Sequence, residues 1–422
     1  MDGLSTESSN SGAGPSTEMR VLIISNLYPP VYYGGYELSC QEISEALQTR
    51  GHQVEILTSN YGITKTERDD SIQRILRINF AENPLIRDTL VKELVNQRYV
   101  RRVLREFLPD IIFFWNLSHI STSVISIAAS EGVPSCYYIF DHWLSNAEFD
   151  HWSAALTTTR SIKRLLLRCC CKLFHLASSH RIAQYQNVIF ASEYLRGLTL
   201  KREKRLVSDV VIPWGIDTNL FKPRQVLAEK PRRLLYVGQL ASHKGVDIVL
   251  KALSILHGDS AASGISLTLV GDDSSAPGYA EELRQIAHKL GVAGLVRFLD
   301  KLPRRNLPAI YSEHDILVFP SRWDEPYGLT QLEAMACGLA VVGTATGGAA
   351  EILVDGKNGL SFARDDATAC AAQLRRLFVD QELYRLLCNQ AIQIVADSYN
   401  FSQTVSRIES FLATASKVGE SA

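Results

Sequence analysis

The sequence predicts an α/β protein built from two similar domains, each a parallel sheet covered by helices. Three observations lead to this prediction. The chain of 422 residues is too long for one ordinary hydrophobic core. Short apolar segments alternate with helical ones, as buried parallel strands alternate with crossover helices. A polar stretch at 213–231, which contains three prolines, separates two runs of this alternation.

The first domain is predicted over residues 19–212. Residues 1–18 are rich in Ser, Gly and Thr with few apolar side chains, so we expect a disordered tail. The first strand, at 21–24, leads through Gly34 and Gly35 into a helix at 37–50, which Gly51 closes. Further strands are expected at 54–58, 111–115, 136–140 and 188–191.

The second domain is predicted over residues 213–399, and a last helix at about 400–416 is expected to pack back on the first domain. Its strands are expected at 234–237, 266–270, 296–299, 316–320, 340–342 and 360–362. Open α/β sheets bind ligands at the carboxyl ends of their strands. The function is therefore expected in a cleft shared by the two sheets.

Composition excludes several classes of protein. The net charge of -1 argues against a basic nucleic-acid-binding protein. No apolar run reaches the roughly 18–20 residues of a membrane span, and no signal peptide is visible, so we expect a cytoplasmic protein. The eight cysteines include no CxxC pair, which favours reduced thiols. The alternative is a redox or lipidated role for the three cysteines at 169–171.

The strongest motif follows the strand at 316–320. Glu325 and Glu333 stand eight positions apart, one in a loop and one on a helix, where they can bind different hydroxyls of one polyol. Between them, Gly328, Leu329 and Thr330 lie at a helix N-terminus, whose backbone amides suit a phosphate. The alternative is that both carboxylates are ordinary surface charges.

A second cluster, Gly238, Gln239 and Lys244, follows the first strand of the second domain. Lysine is a compact cation suited to phosphate. Gly34 and Gly35 alone are typical of a turn. The sequence contains neither a GxGxxG fingerprint nor a P-loop, which argues against a dehydrogenase and an NTPase.

In this order and spacing, these features resemble the retaining nucleotide-sugar glycosyltransferases of family 4, over about residues 19–415. Segments 50–54, 212–217 and 347–351 add to the resemblance. It implies a GT-B fold, with two Rossmann-like domains, the first binding an acceptor and the second a nucleotide sugar. It also implies a donor such as a UDP- or GDP-sugar, a glycan, lipid-linked or small-molecule acceptor with a hydroxyl group, and neither a metal ion nor a cofactor.

The resemblance further implies roles for individual residues. Glu325 would contact the transferred sugar, Glu333 the ribose, and Lys244 the diphosphate. The remaining donor-binding positions it implies are Gly34, Gly35, Gly238, Gln239, Gly328, Leu329 and Thr330.

The sequence departs from the family pattern at two places. Gln239 stands where many relatives have arginine, which leaves more of the diphosphate charge to Lys244. Phe140 occupies the position of a family histidine, so Asp141 or His142 is expected to serve instead. Trp143 and Trp152 are candidates for an aromatic platform under a sugar, together with Trp115, for which core packing is favoured instead.

Residues 160–181 form a predicted basic amphipathic helix. It carries Lys and Arg but no acidic residue, which is compatible with an anionic membrane surface at the inner face of the membrane. A helix that simply packs on the first sheet is the alternative. For the whole chain, the alternatives to a transferase are an inactive carbohydrate- or nucleotide-binding relative and a sugar-nucleotide epimerase.

Overall fold

The structure is a computed structural model, and the elements below are numbered within the residues that it describes. These are 18–63, 70–80, 85–144, 150–152, 156, 169, 171–173, 176–177, 185–202 and 206–418. The predicted tail, apart from its last residue, and most of the predicted basic helix at 160–181 lie outside the described residues.

The first half of the described chain forms a seven-stranded sheet of parallel strands in the order β3-β2-β1-β4-β5-β6-β7. Its strands are β1 (Arg20–Ile24), β2 (Gln53–Ser59), β3 (Ile72–Leu76), β4 (Ile111–Phe114), β5 (Ser135–Ile139), β6 (Val188–Phe190) and β7 (Asp209–Val211). The strand order reverses direction between β1 and β4, which opens a crevice at their carboxyl ends.

The helices described in this half are α1 (Gly35–Thr49), α2 (Ile86–Phe107), α3 (Ser123–Ser130) and α4 (Glu193–Arg202). Helix α1 buries Cys40, Ile43 and Leu47, at the three- and four-residue spacing of an amphipathic helix. Gly51 follows the helix with a φ of 92°, a conformation that glycine adopts without steric cost. The predicted helix is confirmed and begins two residues earlier than expected.

The second half forms a six-stranded parallel sheet in the order β10-β9-β8-β11-β12-β13. Its strands are β8 (Arg233–Val237), β9 (Ser266–Val270), β10 (Val296–Leu299), β11 (Ile316–Phe319), β12 (Ala340–Gly343) and β13 (Leu360–Ser361). Its helices are α5 (Val246–Leu256), α6 (Tyr279–Lys289), α7 (Leu307–Glu313), α8 (Leu329–Ala336), α9 (Ala349–Ile352), α10 (Ala367–Val379) and α11 (Gln381–Ser398).

The predicted α/β fold with two parallel sheets is confirmed. Every strand that the sequence predicts is present, and each end lies within one residue of its expected position. Two edge strands, β3 and β7, were not predicted. Their side chains are mostly half-buried, so their sequences lack the continuous apolar run of a central strand.

The chain crosses between the two halves at two neighbouring points. The last helix, α12 (Phe401–Val418), contacts α1, β4 and β5 of the first half. Ile216 in the connecting segment pairs with Asn400, just before α12. A Cβ on Gly215 would lie 2.5 Å from the carbonyl carbon of Asn400, so the two crossing segments approach too closely for a side chain.

Candidate active site

A cavity of about 440 Å³ lies where the carboxyl ends of the two sheets face each other. Both halves of the chain line it. Of the predicted site residues, those that line the cavity are Gly34, Gly35, Asp141, Gly238, Gln239, Lys244, Glu325, Gly328, Leu329, Thr330 and Glu333. His142 is not among its lining residues. The fold therefore gathers nearly all the residues of the sequence motifs around one cavity.

Lys244 and Glu325 form an ion pair in the cavity. The Lys244 Nζ atom lies 2.7 Å from Glu325 Oε1. The same oxygen accepts a hydrogen bond of 2.6 Å from the hydroxyl of Ser321, and Glu325 is buried. Gly245 allows the turn after Lys244, because it has a φ of 68° and its Cβ would lie 2.1 Å from the oxygen of Pro320. The close approach of two loops thus places a cation beside a carboxylate.

The N-terminus of α8 adds hydrogen-bond donors to this pair. Helix α8 begins at Leu329, after Gly328, whose φ of 121° requires glycine. The first amides of a helix have no acceptor within the helix and carry partial positive charge. Since Leu329 and Thr330 line the cavity, the helix start is suited to an anion such as a phosphate.

Glu333, one turn further along α8, is held by two side chains that the sequence did not single out. Arg304 Nε donates to Glu333 Oε1 at 2.7 Å, and the Tyr311 hydroxyl donates to Oε2 at 2.9 Å. Arg304 also pairs with Glu42 on α1, across the cleft. Both partners of Glu333 come from the segment between β10 and β11, where no motif marks them.

The two glycines after β1 have different surroundings. The Gly34 amide donates to the carboxylate of Glu37 at 3.0 Å, and burial raises the pKa of Glu37. A Cβ on Gly34 would meet no heavy atom within 4 Å, whereas a Cβ on Gly35 would lie 2.4 Å from Leu329 Cδ1. Gly35 is therefore the point where the backbone of the first half touches the start of α8.

Gln239 and Lys301, which also line the cavity, connect the two halves. The amide of Gln239 donates to the backbone oxygen of Tyr33 at 3.3 Å. Lys301 donates to the backbone oxygen of Tyr32 at 3.3 Å, and its ammonium lies 4.0 Å from the centroid of the Tyr32 ring. Sequence reasoning missed Lys301, because a lysine after a strand is common in any α/β protein.

Asp141 and His142 are adjacent in sequence but face different surroundings. Asp141 lines the cavity and accepts a hydrogen bond of 2.8 Å from the amide of Trp143. Burial raises the pKa of Asp141 to about 7, although the bond from Trp143 opposes this shift. The ring of His142 instead lies 5.6 Å from that of Trp323, and burial together with Arg202 lowers the pKa of His142.

The predicted aromatic platform is wrong. Trp115, Trp143 and Trp152 are all buried, with at most 5% of each residue exposed, because they pack in the cores around the first sheet. Trp323, which the sequence analysis did not consider, is 46% exposed. Its exposure could not be read from the sequence, since it depends on how two loops meet.

The described residues contain no group of three His, Cys, Asp or Glu side chains placed to hold a metal ion. Seven of the eight cysteines are described, and all seven are free thiols. Within the same part of the chain, no helix is both long and apolar enough to cross a membrane.

Two facing parallel sheets with a cavity between them define the GT-B class of glycosyltransferase folds. The solved structure of HepE from Anabaena, in complex with UDP and glucose, superposes with a TM-score of 0.69 at 21% identity. The match covers 94% of this chain and 100% of that one.

Two protein-family models identify the family within this fold class. "Glycosyltransferase Family 4" matches residues 33–220, and "Glycosyl transferases group 1" matches residues 217–394. Together they cover both halves of the fold, and the chain belongs to the family 4 glycosyltransferases that combine these two domains.

Curated relatives fall into at least two groups. D-inositol 3-phosphate glycosyltransferase of Corynebacterium aurimucosum is 30% identical over 220 residues, which cover 50% of this chain and 52% of that protein. Glycogen synthase of Mycobacterium tuberculosis is 27% identical over 427 aligned residues, covering 95% and 96%. The match thus spans about half the length of the first relative and nearly all of the second.

Proposed function

We propose that this protein transfers a hexose from a nucleotide diphosphate sugar to a hydroxyl group, with retention of the anomeric configuration. The observation that carries the proposal is the 2.7 Å ion pair of Lys244 and Glu325 beside the N-terminus of α8. A cation and free helix amides suit a diphosphate, and a carboxylate suits sugar hydroxyls. The names of the relatives, which include glycosyltransferases and a glycogen synthase, support this proposal.

In the proposed reaction, the bond between the anomeric carbon and the diphosphate oxygen breaks, and its electron pair leaves with the diphosphate. Lys244 and the amides of Leu329 and Thr330 stabilise the charge that develops there. The acceptor oxygen forms its bond to the anomeric carbon on the same face. Its proton passes to an oxygen of the leaving phosphate. We propose that these donors replace a divalent cation.

Asp141 is proposed to replace the family histidine as a partner of the transferred sugar. It lines the cavity, whereas His142 does not. Because burial raises the pKa of Asp141 to about 7, its carboxyl group exists in both protonation states near neutral pH. It can therefore donate a hydrogen bond to a sugar hydroxyl when it is protonated, or accept one from that hydroxyl when it is ionised.

The donor is proposed to be a UDP- or GDP-sugar, with Glu333 binding the ribose. The HepE structure contains UDP and glucose, which supports a uridine donor for this fold. Glu333 is fixed by Arg304 and Tyr311, so its carboxylate is already oriented when a nucleotide enters.

A thermal-shift panel tests the donor. UDP, GDP, ADP and TDP, each with its common sugars, are added to the parent protein and to Glu333→Ala. One nucleotide should raise the melting temperature of the parent and raise that of the variant less. Flat curves for every nucleotide would contradict the proposal and favour an inactive relative.

Product analysis tests the reaction. The nucleotide sugar identified by the thermal-shift panel is incubated with the parent and with Lys244→Ala. NMR then measures the release of nucleotide diphosphate and the anomeric configuration of any glycoside formed. The proposal expects release that is much slower in the variant, and a product with the configuration of the donor. An inverted product would overturn retention, and a donor converted only into its epimer would identify an epimerase.

We also propose that the protein is cytoplasmic and that residues 160–181 contact a membrane surface. Lys172, one of the few described residues of that segment, is exposed. Neutralising Arg164, Arg168 and Lys172 together should abolish pelleting with vesicles that contain anionic lipid. A parent protein that does not pellet with such vesicles would end this idea.

A further inference from the structure

Trp323 is the single exposed member of the five tryptophans, all of which the structure describes. The other four are at most 5% exposed, whereas 46% of Trp323 is open to solvent. The backbone around it is fixed, because its carbonyl oxygen accepts a hydrogen bond of 2.9 Å from Thr346 and its amide donates to Ser321 at 3.2 Å. A large, partly exposed ring is thus held in place by an ordered loop.

Rings from both halves of the protein surround this indole. His142, after β5, lies 5.6 Å from it between ring centroids, and His243, after β8, lies 6.2 Å from it. The ring of Tyr194 on α4 lies 6.2 Å from that of His142. We call these four residues the Trp323 cluster.

The Trp323 cluster adjoins the cavity of the candidate active site. Each histidine is directly next to a residue that lines the cavity, Asp141 for His142 and Lys244 for His243. Trp323 itself stands two positions from Glu325, which also lines the cavity. A molecule lying on the indole would therefore be close to a sugar bound at Glu325.

The cluster is mainly neutral. Burial lowers the pKa of both histidines, with Arg202 adding to the effect at His142 and Lys244 at His243. Both imidazoles are thus uncharged at neutral pH. The ring of His142 is already hydrogen-bonded to the backbone of Asp324, whereas His243 is exposed.

Most nearby cations are already engaged. In the proposed function Lys244 binds the diphosphate of the donor, while Arg322 pairs with Asp247 at 2.7 Å and Arg364 pairs with Asp324. Arg202 at the end of α4 is exposed, and a single exposed guanidinium holds an anion weakly because solvent screens it.

An exposed aromatic ring bordered by neutral hydrogen-bonding groups matches one class of ligand. A pyranose ring has an apolar face of C–H groups, which suits the negative face of an indole, and hydroxyls at its rim. A phosphorylated small molecule would need cations that are free to bind it. A lipid chain would need a wider apolar surface than one indole.

We propose that the Trp323 cluster is an acceptor subsite for a neutral glycan, whose pyranose ring stacks on Trp323 while its hydroxyls bond to His243. This inference rests on the proposed function and names the class of acceptor. It assigns the acceptor to a seam formed by both halves, since His142 belongs to the first half and Trp323 and His243 belong to the second.

Acceptor kinetics test the inference. The parent, Trp323→Ala, Trp323→Phe and Leu386→Ala are assayed with the donor that binds. The acceptors are neutral oligosaccharides of glucose, galactose and mannose, with myo-inositol 3-phosphate as the anionic alternative. Leu386 is a matched control, because it is half exposed on α11 and belongs to no cavity described above.

We expect at least one neutral oligosaccharide to accept the sugar. Trp323→Ala should raise the KM for that acceptor at least tenfold, while the Kd for the nucleotide changes less than threefold. Trp323→Phe should stay within about threefold of the parent, and Leu386→Ala should match it.

Three results would overturn the inference: an acceptor KM that Trp323→Ala leaves unchanged, a preference for the inositol phosphate, or no neutral oligosaccharide used by a parent that releases nucleotide diphosphate. A parent that neither binds a nucleotide nor releases diphosphate would contradict the proposed function itself. The two failures are therefore distinguishable.

Discussion

Replacing Lys244 with alanine is expected to weaken binding of a nucleoside diphosphate far more than replacing Gln239 with alanine. The Lys244 ammonium lies 2.7 Å from Glu325, and only 22% of its side chain is exposed, so solvent shields it weakly. Gln239 is uncharged, and its amide already donates to the backbone of Tyr33 at 3.3 Å. The two side chains line the same cavity, so each serves as the control for the other.

The expected size of each effect follows from these contacts. Two unit charges 4 Å apart interact by about 4 kcal/mol at an effective dielectric constant of about 20. Removing Lys244 also removes the cost of desolvating its ammonium, which offsets part of this attraction and leaves about 2–3 kcal/mol, within the range for hydrogen bonds to charged groups. The Kd should therefore rise about 30- to 150-fold for Lys244→Ala. A neutral hydrogen bond from Gln239 is worth about 1 kcal/mol, or about fivefold.

Titration calorimetry with UDP and GDP measures both effects. A double variant, Lys244→Ala with Glu325→Gln, sharpens the test. Lys244→Ala alone leaves a buried carboxylate facing the diphosphate, so neutralising Glu325 in that background should recover at least part of the lost affinity. Equal losses for Lys244→Ala and Gln239→Ala, or no recovery in the double variant, would refute the assignment of Lys244 as the main charge on the diphosphate.

Three further predictions concern the pH dependence of stability, the closure of the cleft and an ion pair across it. The folded protein keeps a proton on Asp141 up to a pKa of about 7, whereas the unfolded chain releases it near pH 4. This stabilising contribution is complete below about pH 4 and lost as the pH rises to about 7, so Asp141→Asn should raise the Tm more at pH 8 than at pH 5. Gly35→Ala should be absorbed by a new rotamer of Leu329, because its Cβ would lie 2.4 Å from Leu329 Cδ1, the far end of a flexible side chain, so the radius of gyration in X-ray scattering should match that of the parent and of Gly34→Ala. Glu42→Gln removes a partly exposed ion pair across the cleft, so it should cost at most about 1 kcal/mol, read as a small fall in Tm that disappears in 1 M salt.

Much of the fold could be predicted because central parallel strands are buried on both faces. In β11, Ile316–Phe319, all four side chains are buried, so the apolar run alone marks the strand. The edge strands β3, Ile72–Leu76, and β7, Asp209–Val211, were missed for the opposite reason. Their side chains are mostly half-buried, and polar residues interrupt the pattern.

The candidate site likewise has one part that the sequence predicted and one part that it did not. Glu325, Gly328 and Glu333 belong to one loop and the helix that follows it, so local spacing was enough to place them near one ligand. Their partners come from elsewhere in the chain: Arg304 and Tyr311 bind Glu333 from 29 and 22 residues away. No local pattern indicates such contacts.

The sequence by itself determined the two α/β halves, the local motif around α8 and the glycines that let loops approach each other. These features depend on neighbours within a few residues, which hydrophobic periodicity and backbone freedom report directly. Only the tertiary structure decided that Asp141 lines the cavity, that His142 lies instead against Trp323, and that Arg304 connects Glu333 with Glu42. Those outcomes depend on how distant loops pack at the ends of two sheets, and packing between distant segments leaves no periodic trace in the chain.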